Sequence, residues 1–301
     1  MISNELKEKE ARAIKFLQAM ERPEGYHLAF SGGKDSVVTK HLADKAGIKY
    51  RAVYRVTSVD PPELVRFIKE EYPDVEREIP RYDDGTPITM WSLIVKKGML
   101  PTRLVRYCCE YLKESAGDGM MTITGVRWAE STNRKKNQGI VTIADKKAVR
   151  ELADDPNFAS TRRGGVVLVN DNEESRRQIE SCYKRHKTMV NPIIDWEDSE
   201  VWEYIREEKI KYCSLYDEGY TRLGCIGCPM GRYGSRARDF ARYPKYKEAY
   251  MRAIERMLKR REEKGLPNLR DADGYFHWWI EDPNIEGQMS IDFDGEEDND
   301  D

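Results

Sequence analysis

Two groups of residues in this 301-residue chain have the types and spacing to do chemistry. The first is Ser31-Gly32-Gly33-Lys34-Asp35-Ser36. Paired glycines let a backbone turn sharply and approach a ligand closely. Where such a turn opens a helix, the first-turn N–H groups lack intrahelical partners and, with the helix dipole, favour an anion. Ser31 and Ser36 add hydroxyl donors, and Lys34 adds a positive charge. The stretch reads as a phosphate or pyrophosphate cradle. It is not a GxxxxGK[ST] loop, whose spacing is absent. The competing reading is a bare glycine turn with no ligand.

The second group is the cysteines. Cys108-Cys109 and Cys225-Ile226-Gly227-Cys228 form two pairs, with Cys182 and Cys213 apart from them. In a reducing compartment this grouping argues for metal or redox use over disulfides. A CxxC pair puts two thiolates on one turn, and a second pair completes four ligands. Adjacent cysteines on a helix point about 100° apart, awkward for one tetrahedral ion but workable for a cube with separate corners. Four thiolates fit a [4Fe–4S] cluster and also structural zinc. Cys213 precedes Cys225 in a loop, and Cys182 lies in the basic stretch 176–187. Basic neighbours favour a thiolate, so either could carry sulfur. An ordinary idle cysteine is the alternative for each.

The elements that must position these groups follow from periodicity. The apolar run from Tyr26 to Phe30 predicts a strand, and Val37, Val38, Leu42, Ala43 and Ala46 predict a helix after the glycines. An amphipathic helix is expected over 4–21. Further strands are expected at 49–56, 75–79 and 121–126. Helices are expected from Pro61-Pro62 through Tyr72, over 88–97, and over 101–114 carrying the cysteine pair. The alternation predicts an α/β fold, a twisted parallel sheet with helices on both faces. Residues 131–190 break the rhythm with 13 Lys and Arg against eight Asp and Glu. Runs at 139–143 and 164–170 suggest an inserted basic hairpin or excursion. Residues 191–196 return to the sheet, Asp198 is expected to cap a helix over 199–208, and 243–264 reads as a long charged helix. The domain expectation is 1–235 with the insert, a helical region 236–280, and an acidic, disordered tail 281–301. His27 reads as core, Asp60 as a loop cap rather than a ribose or adenine contact, and 275–279 as packing. His186 and His277 have no evident partner.

Net charge is −3, yet residues 281–301 hold ten acids and no Lys or Arg. The other 280 residues carry 51 basic and 44 acidic side chains. A mildly basic body suits an anionic ligand without establishing nucleic-acid binding. No apolar run is long enough to cross a bilayer, and the N-terminus lacks a signal-peptide pattern, so a cytoplasmic protein with no membrane partner is expected.

The Ser31–Ser36 loop resembles the SGGxDS loop of the PP-loop, adenine-nucleotide α-hydrolase-like proteins. With the cysteine pairs, it is similar to the phosphoadenosine phosphosulfate (PAPS) reductase family and its cluster-bearing adenylylsulfate (APS) reductase branch. The similarity extends through Gly125-Val126-Arg127, Glu130-Ser131 and Arg134. It continues through Asn191-Pro192-Ile193-Ile194-Asp195-Trp196, Leu215-Tyr216-Asp217-Glu218-Gly219-Tyr220 and Gly224–Pro229, so it spans about 26–235. The resemblance implies a Rossmann-like nucleotide-binding fold. It also implies that Ser31, Gly32, Gly33, Lys34, Asp35, Ser36, Arg127, Glu130 and Arg134 hold ATP or a related adenine nucleotide, with Mg as a companion ion. Arg127, at a strand end, and Arg134 would grip the anionic end. Cys108, Cys109, Cys225 and Cys228 would ligate a [4Fe–4S] cluster, with Lys113 offsetting its charge.

The chain departs from that family in two respects: 115 residues, stretched by the basic insert, lie between Cys109 and Cys225, and the attacking thiol is missing. Sulfonucleotide reductases attack with a cysteine near the C-terminus, and residues 229–301 contain none. The expectation therefore shifts to ATP-dependent adenylylation followed by sulfur transfer beside the cluster, with Lys34, Asp35 and Cys213 as catalytic candidates. A tRNA or DNA acceptor would bind through the basic insert, and a protein or small molecule would donate sulfur. The rivals are an APS or PAPS reductase, an oxidoreductase working with a thioredoxin-like partner, and a non-catalytic nucleotide-binding sensor or complex subunit.

Overall fold

The computed structural model describes residues 3–114, 119–152, 154–231 and 234–281. The expected acidic tail, beyond Glu281, lies outside them. The chain divides into two units, residues 1–87 with 111–224, and residues 88–110 with 225–301. The grouping differs from boundaries drawn at 235 and 280, because the segment carrying Cys108 and Cys109 packs with the C-terminal helices.

The first unit opens with α1 (Asn4–Met20), whose Ser3 side chain accepts from the Leu6 N–H. Leu6, Ala13, Phe16, Leu17 and Met20 lie at helical spacing and are buried. Then come β1 (Tyr26–Ala29), α2 (Lys34–Ala46), β2 (Tyr50–Arg55), α3 (Pro62–Glu71) and β3 (Glu76–Glu78). In the second unit α4 (Met90–Lys97) and α5 (Tyr107–Cys109) follow, and α5 runs into a π-turn at Glu110–Glu114. The single helix expected over 101–114 is not formed. Residues 101–106 stay irregular, and Arg103 there donates to the carbonyls of Pro229 (3.3 Å) and Gly231 (3.1 Å).

The first unit resumes with β4 (Met121–Ile123), α6 (Thr132–Asn137), β5 (Val141–Ile143), α7 (Lys146–Leu152), β6 (Phe158–Ser160), β7 (Val166–Leu168), α8 (Glu173–Cys182), β8 (Thr188–Val190) and α9 (Asp198–Glu207). All eight strands join one sheet, in the order β3-β2-β1-β4-β8-β5-β7-β6. The first five are mutually parallel. The insert adds β5, β7 and β6 as an antiparallel extension, so it continues the sheet and is more than a hairpin. It is an α/β fold with a mostly parallel sheet and a helical C-terminal region. β1, β4 and β8 are largely buried, with Leu28, Ile123 and Val190 at 0% exposure beside the buried polar side chains of His27, Thr122 and Thr188.

The second unit ends with α10 (Ser235–Arg242), α11 (Pro244–Glu263) and α12 (Ala272–Ile280). Its core is aromatic. The rings of Trp91 and Phe240 pack edge-on against Tyr250, and Trp279 lies against Tyr250 at 4.9 Å. Phe276 and Trp279 are buried, as packing residues should be. Among the described residues no helix is long and apolar enough to cross a membrane.

Candidate functional site

β1 ends at Ala29, and the loop Ser31-Gly32-Gly33 carries the chain into α2 at Lys34. Gly32 has φ of 72°, and a Cβ there would meet Leu64 Cδ1 at 2.7 Å and Ile68 at 2.8 Å. Only glycine makes this turn without moving α3. Ser31 Oγ accepts from the Gly33 N–H (3.4 Å) and pairs with Ser36 Oγ (3.2 Å), while Ser36 Oγ donates to the Gly33 carbonyl (2.8 Å). The serines thus hold the loop's shape as well as lining it. The Lys34 N–H, the helix's first, donates to Tyr216 Oη at 2.9 Å.

The next residues of the site come from the ends of neighbouring strands. After β4 the backbone passes Gly125, where a Cβ would lie 3.0 Å from the Asp35 carbonyl carbon. Arg127 follows and is 1% exposed. Its Nε donates to Asp35 Oδ1 (2.7 Å), its Nη1 to the Trp196 carbonyl (3.1 Å), and its Nη2 to Asp198 Oδ1 (2.8 Å). Lys34 is buried too, its Nζ 3.1 Å from Asp198 Oδ1 and 3.6 Å from Asp35 Oδ2. Two cations and two carboxylates therefore neutralise one another beneath the loop. Burial opposes the charge on Arg127, but Asp35 and Asp198 more than offset it and strengthen its hold on its proton. Burial likewise works against the Asp198 carboxylate, yet Lys34 and Arg127 keep its pKa below the usual carboxylate range.

These contacts alter several sequence expectations. Arg127 clamps the loop, and its three donating nitrogens are all engaged by protein. Lys34 reaches down to Asp198. Asp198 is the first residue of α9 and not its cap, which is Glu197 in a reciprocal box with Glu200. Glu130 accepts from the Arg127 N–H (3.1 Å) and pairs with Arg134. Ser131 caps α6. Asp60 is a buried loop cap accepting from Tyr54 Oη and the Thr57 N–H. Arg134 is half-buried, and burial, with Arg222 nearby, weakens its hold on its proton despite Glu130. Tyr216, Asp198 and Arg222 were not singled out as site residues from the sequence. Tyr216 lay inside a stretch already quoted, but nothing in its spacing reveals a bond across 182 residues to Lys34.

The basic insert is divided by the sheet. β5 runs antiparallel to β8 with Val141 opposite Val190 and Ile143 opposite Thr188. Its start, with α6 and Arg134, lies at the end of the sheet where β1 and β4 deliver the loop. The turn after Ile143 and the β6–β7 turn lie at the opposite end, so Lys146, Lys147, Arg162 and Arg163 do not face the loop. Several other insert cations are already matched, as in Arg176 with Asp171 (2.7 Å). His186 is buried between Asp145 (2.7 Å) and Glu151 (3.4 Å), partners the sequence did not disclose.

Cys213 is fully enclosed in the core of the first unit, and burial pushes its thiol pKa up. Cys182, at 2% exposure, is pushed up to about 11 by burial. Neither presents a ready thiolate, against the expectation that one of them carries sulfur. Cysteine neighbours on a basic helix read as activated in sequence, but α8 turns Cys182 inward.

The other four cysteines belong to the second unit. Cys108 is buried, and Cys109, Cys225 and Cys228 are half-buried. The Cys109 thiol, then burial, then the charges of Cys225 and Cys228 raise the Cys108 pKa far above a free thiol's. Arg106 Nη2 lies 3.5 Å from Cys109 Sγ. Between Cys225 and Cys228, Gly227 has φ of 72°, and a Cβ there would meet Phe240 Cζ at 2.7 Å. Its N–H donates to the Asp239 carboxylate at 3.1 Å. Among the described residues no group of three or more His, Cys, Asp or Glu side chains is arranged to hold a metal ion. Cys108 lies in the field of the other three thiols, a donor set whose joint ionisation a shared cation would favour.

The loop lies between a parallel strand and a helix, at the end of the sheet where α/β folds bind ligands. The chain belongs to the phosphoadenosine phosphosulfate reductase domain family, whose model matches residues 25–230. A Schizosaccharomyces pombe protein named "Probable FAD synthase" is 54% identical over 218 residues, 71% of this chain and 64% of its own length. An uncharacterised protein of Methanocaldococcus jannaschii is 27% identical over 253 residues, 79% of this chain and 42% of that one. An adenosine 5'-phosphosulfate reductase of Salinibacter ruber is 33% identical over 78 residues, 24% of this chain and 30% of that one. The chain thus spans about half the length of the first curated relatives it matches. Among solved structures, Candida glabrata FMN adenylyltransferase is similar with TM-score 0.40 and 12% identity over 74% of this chain and 63% of that one.

Proposed function

We propose that this chain binds ATP through Ser31–Ser36 and transfers its adenylyl group to an acceptor, releasing pyrophosphate. The observation that carries the reading is the loop itself, a Gly-enforced turn delivering the start of α2 beside the end of β4, in a chain of the PAPS reductase domain family. The β,γ-phosphates would sit against the loop amides. An acceptor oxyanion would attack the α-phosphorus, forming one P–O bond as the bond to pyrophosphate breaks. Arg222 and, once released from Glu130, Arg134 would be the cations for the phosphates, since Lys34 and Arg127 are held by Asp35 and Asp198. Mg accompanying ATP would supply further charge neutralisation. The S. pombe relative's name favours a phosphate-bearing acceptor such as FMN.

The sulfur-transfer branch of this reading assigns Cys108, Cys109, Cys225 and Cys228 to a [4Fe–4S] cluster, zinc being the rival. A cluster held there would supply sulfur or electron chemistry. Cys108's neighbours and the Gly227 turn between Cys225 and Cys228 favour four thiolates acting as one donor set. Reduction of a sulfonucleotide is the weaker reading, because Cys182 and Cys213 are buried and no cysteine follows Cys228. A tRNA or DNA acceptor, a sulfur-donor protein and a cytoplasmic setting remain part of the proposal.

The test is pyrophosphate release from ATP with FMN, tRNA or DNA as acceptor, on chain purified anaerobically and analysed for iron, sulfide and zinc. Acceptor-dependent release with iron and sulfide near four per chain is the expected result. Sulfite release from APS with thioredoxin, and no pyrophosphate, would overturn it.

A further inference from the structure

The basic surface of the chain does not centre on the insert. Residues 88–110 and 225–281 carry 17 Lys and Arg against nine Asp and Glu, whereas the first unit carries 34 against 36. Up to residue 281 the cationic excess therefore belongs to the second unit, to which the sequence of 282–301 adds nine acids.

Much of it is ordered along one helix. α11 buries Tyr250, Ala253, Ile254, Met257 and Leu258 against its own unit. Lys245, Arg252, Arg256, Lys259 and Arg260 are exposed. At 100° per residue these five fall within an arc of roughly 100°, opposite the buried face. A rise of 1.5 Å per residue spreads them over about 22 Å of axis. Glu248 and Glu255 border one side, and Glu263 sits at the far end of the stripe. Among the described residues Arg252 alone of the five pairs with a carboxylate, Glu248 at 3.7 Å, and both partners are more than 60% exposed. An exposed pair of this kind holds its cation only weakly. Arg256 Nε donates to the Arg252 carbonyl at 3.2 Å, which aligns its side chain along the stripe.

We infer that this face of α11 docks the phosphate backbone of a nucleic acid. A duplex carries one negative charge per about 1.7 Å of its axis, so 22 Å of stripe meets a dozen or so phosphates. Exposed cations along one helix face, only one of them paired and that weakly, suit contact that positions a strand without reading bases. The inference goes beyond the adenylyl-transfer reading and does not depend on it, since it rests on charge and helix geometry in the other unit.

Fluorescence anisotropy of a labelled 20-base-pair duplex with the full chain tests it. The wild type is expected to bind at 50 mM salt, with log K falling steeply as log salt rises. The variant Lys245→Gln/Arg252→Gln/Arg256→Gln/Lys259→Gln should lose about 100-fold in affinity at 50 mM and flatten the salt slope by about three to four. Arg256→Glu alone, a single exposed change, should lose about 10-fold. The insert variant Lys146→Gln/Lys147→Gln/Arg162→Gln/Arg163→Gln removes the same charge elsewhere and should bind like wild type. Absence of wild-type binding at 50 mM, unchanged binding by the α11 variants, or an equal loss from the insert variant would overturn the inference.

Discussion

Arg127 Nε donates to Asp35 Oδ1 at 2.7 Å, joining residues 92 positions apart in sequence. The bond fixes the start of α2 against the end of β4. Its strength depends on Asp198, whose Oδ1 is shared between Arg127 and Lys34. The charges beneath the loop match one another, and they are thereby withdrawn from any anion the loop would hold.

Replacing Arg127 by Ala leaves Asp35 facing a buried gap and the Trp196 carbonyl without its donor. Removing one member of a fully buried charge network costs about 3–5 kcal/mol, but Asp35 and Asp198 keep 22% and 60% of their side-chain surface in solvent, so the loss here should be about 2 kcal/mol. The urea midpoint should fall accordingly, and ATP affinity should fall with it. Arg127→Lys should recover only part of the loss, since one ammonium cannot reach three acceptors. A midpoint unchanged in Arg127→Ala would rule out the clamp.

Stability should also depend on acid through Asp198. Its folded pKa lies below the usual carboxylate value, held there by Lys34 and Arg127 against partial burial. The contribution is therefore fully present above the unfolded carboxylate pKa and disappears as pH falls through the lower folded value. Asp198→Asn should flatten the stability profile below about pH 4 and leave its shape unchanged between pH 6 and 8. Chemical unfolding across that range reads the difference.

Tyr216 Oη occupies the first amide of α2, where a phosphate oxygen would accept. Tyr216→Phe frees that N–H. Inorganic pyrophosphate should then bind about fivefold more tightly, the equivalent of about 1 kcal/mol for one hydrogen bond no longer displaced. Calorimetric titration decides it, and weaker binding would mean that the hydroxyl donates to the anion instead.

Arg222→Ala should weaken ATP about 10-fold and leave adenosine affinity unchanged, because the side chain is assigned to the phosphates alone. Equal losses for both ligands would remove it from the site.

Thiol reactivity separates the cysteines. Cys182, with its pKa pushed up to about 11, and Cys213, fully buried, should resist iodoacetamide at pH 8 in the native chain and react once it is unfolded. Mass spectrometry of the alkylated peptides reads this, and native labelling of either residue would restore it as a sulfur carrier.

The strand, turn and helix around Ser31–Ser36 were legible because local periodicity and paired glycines specify them without help from distant residues. α11 was legible for the same reason, since its apolar stripe runs through 20 residues. The insert was legible in part: the runs at 139–143 and 164–170 contain β5 and β7, but β6 has three residues, too few to display alternation, and the order of the three is decided by β5 pairing with β8, β7 with β5 and β6 with β7. The site's charges were recognised by type but not by role. Arg127 reads as a ligand-gripping guanidinium in any linear view, and only packing discloses that Asp35, Trp196 and Asp198 already surround it. Residues 101–106 failed as helix because Arg103 is drawn to backbone carbonyls more than 120 residues away.

The outermost strands of the eight-stranded sheet are Glu76-Arg77-Glu78 and Phe158-Ala159-Ser160. Each offers a neighbouring molecule only three residues of open ladder. The first is charged throughout, and the second leads directly into Thr161-Arg162-Arg163. A sheet this wide would otherwise be a template for copies of itself to zip on sideways. Both rims are too brief and too charged for that, so crowding this protein should not recruit its β-sheet into fibrous assembly.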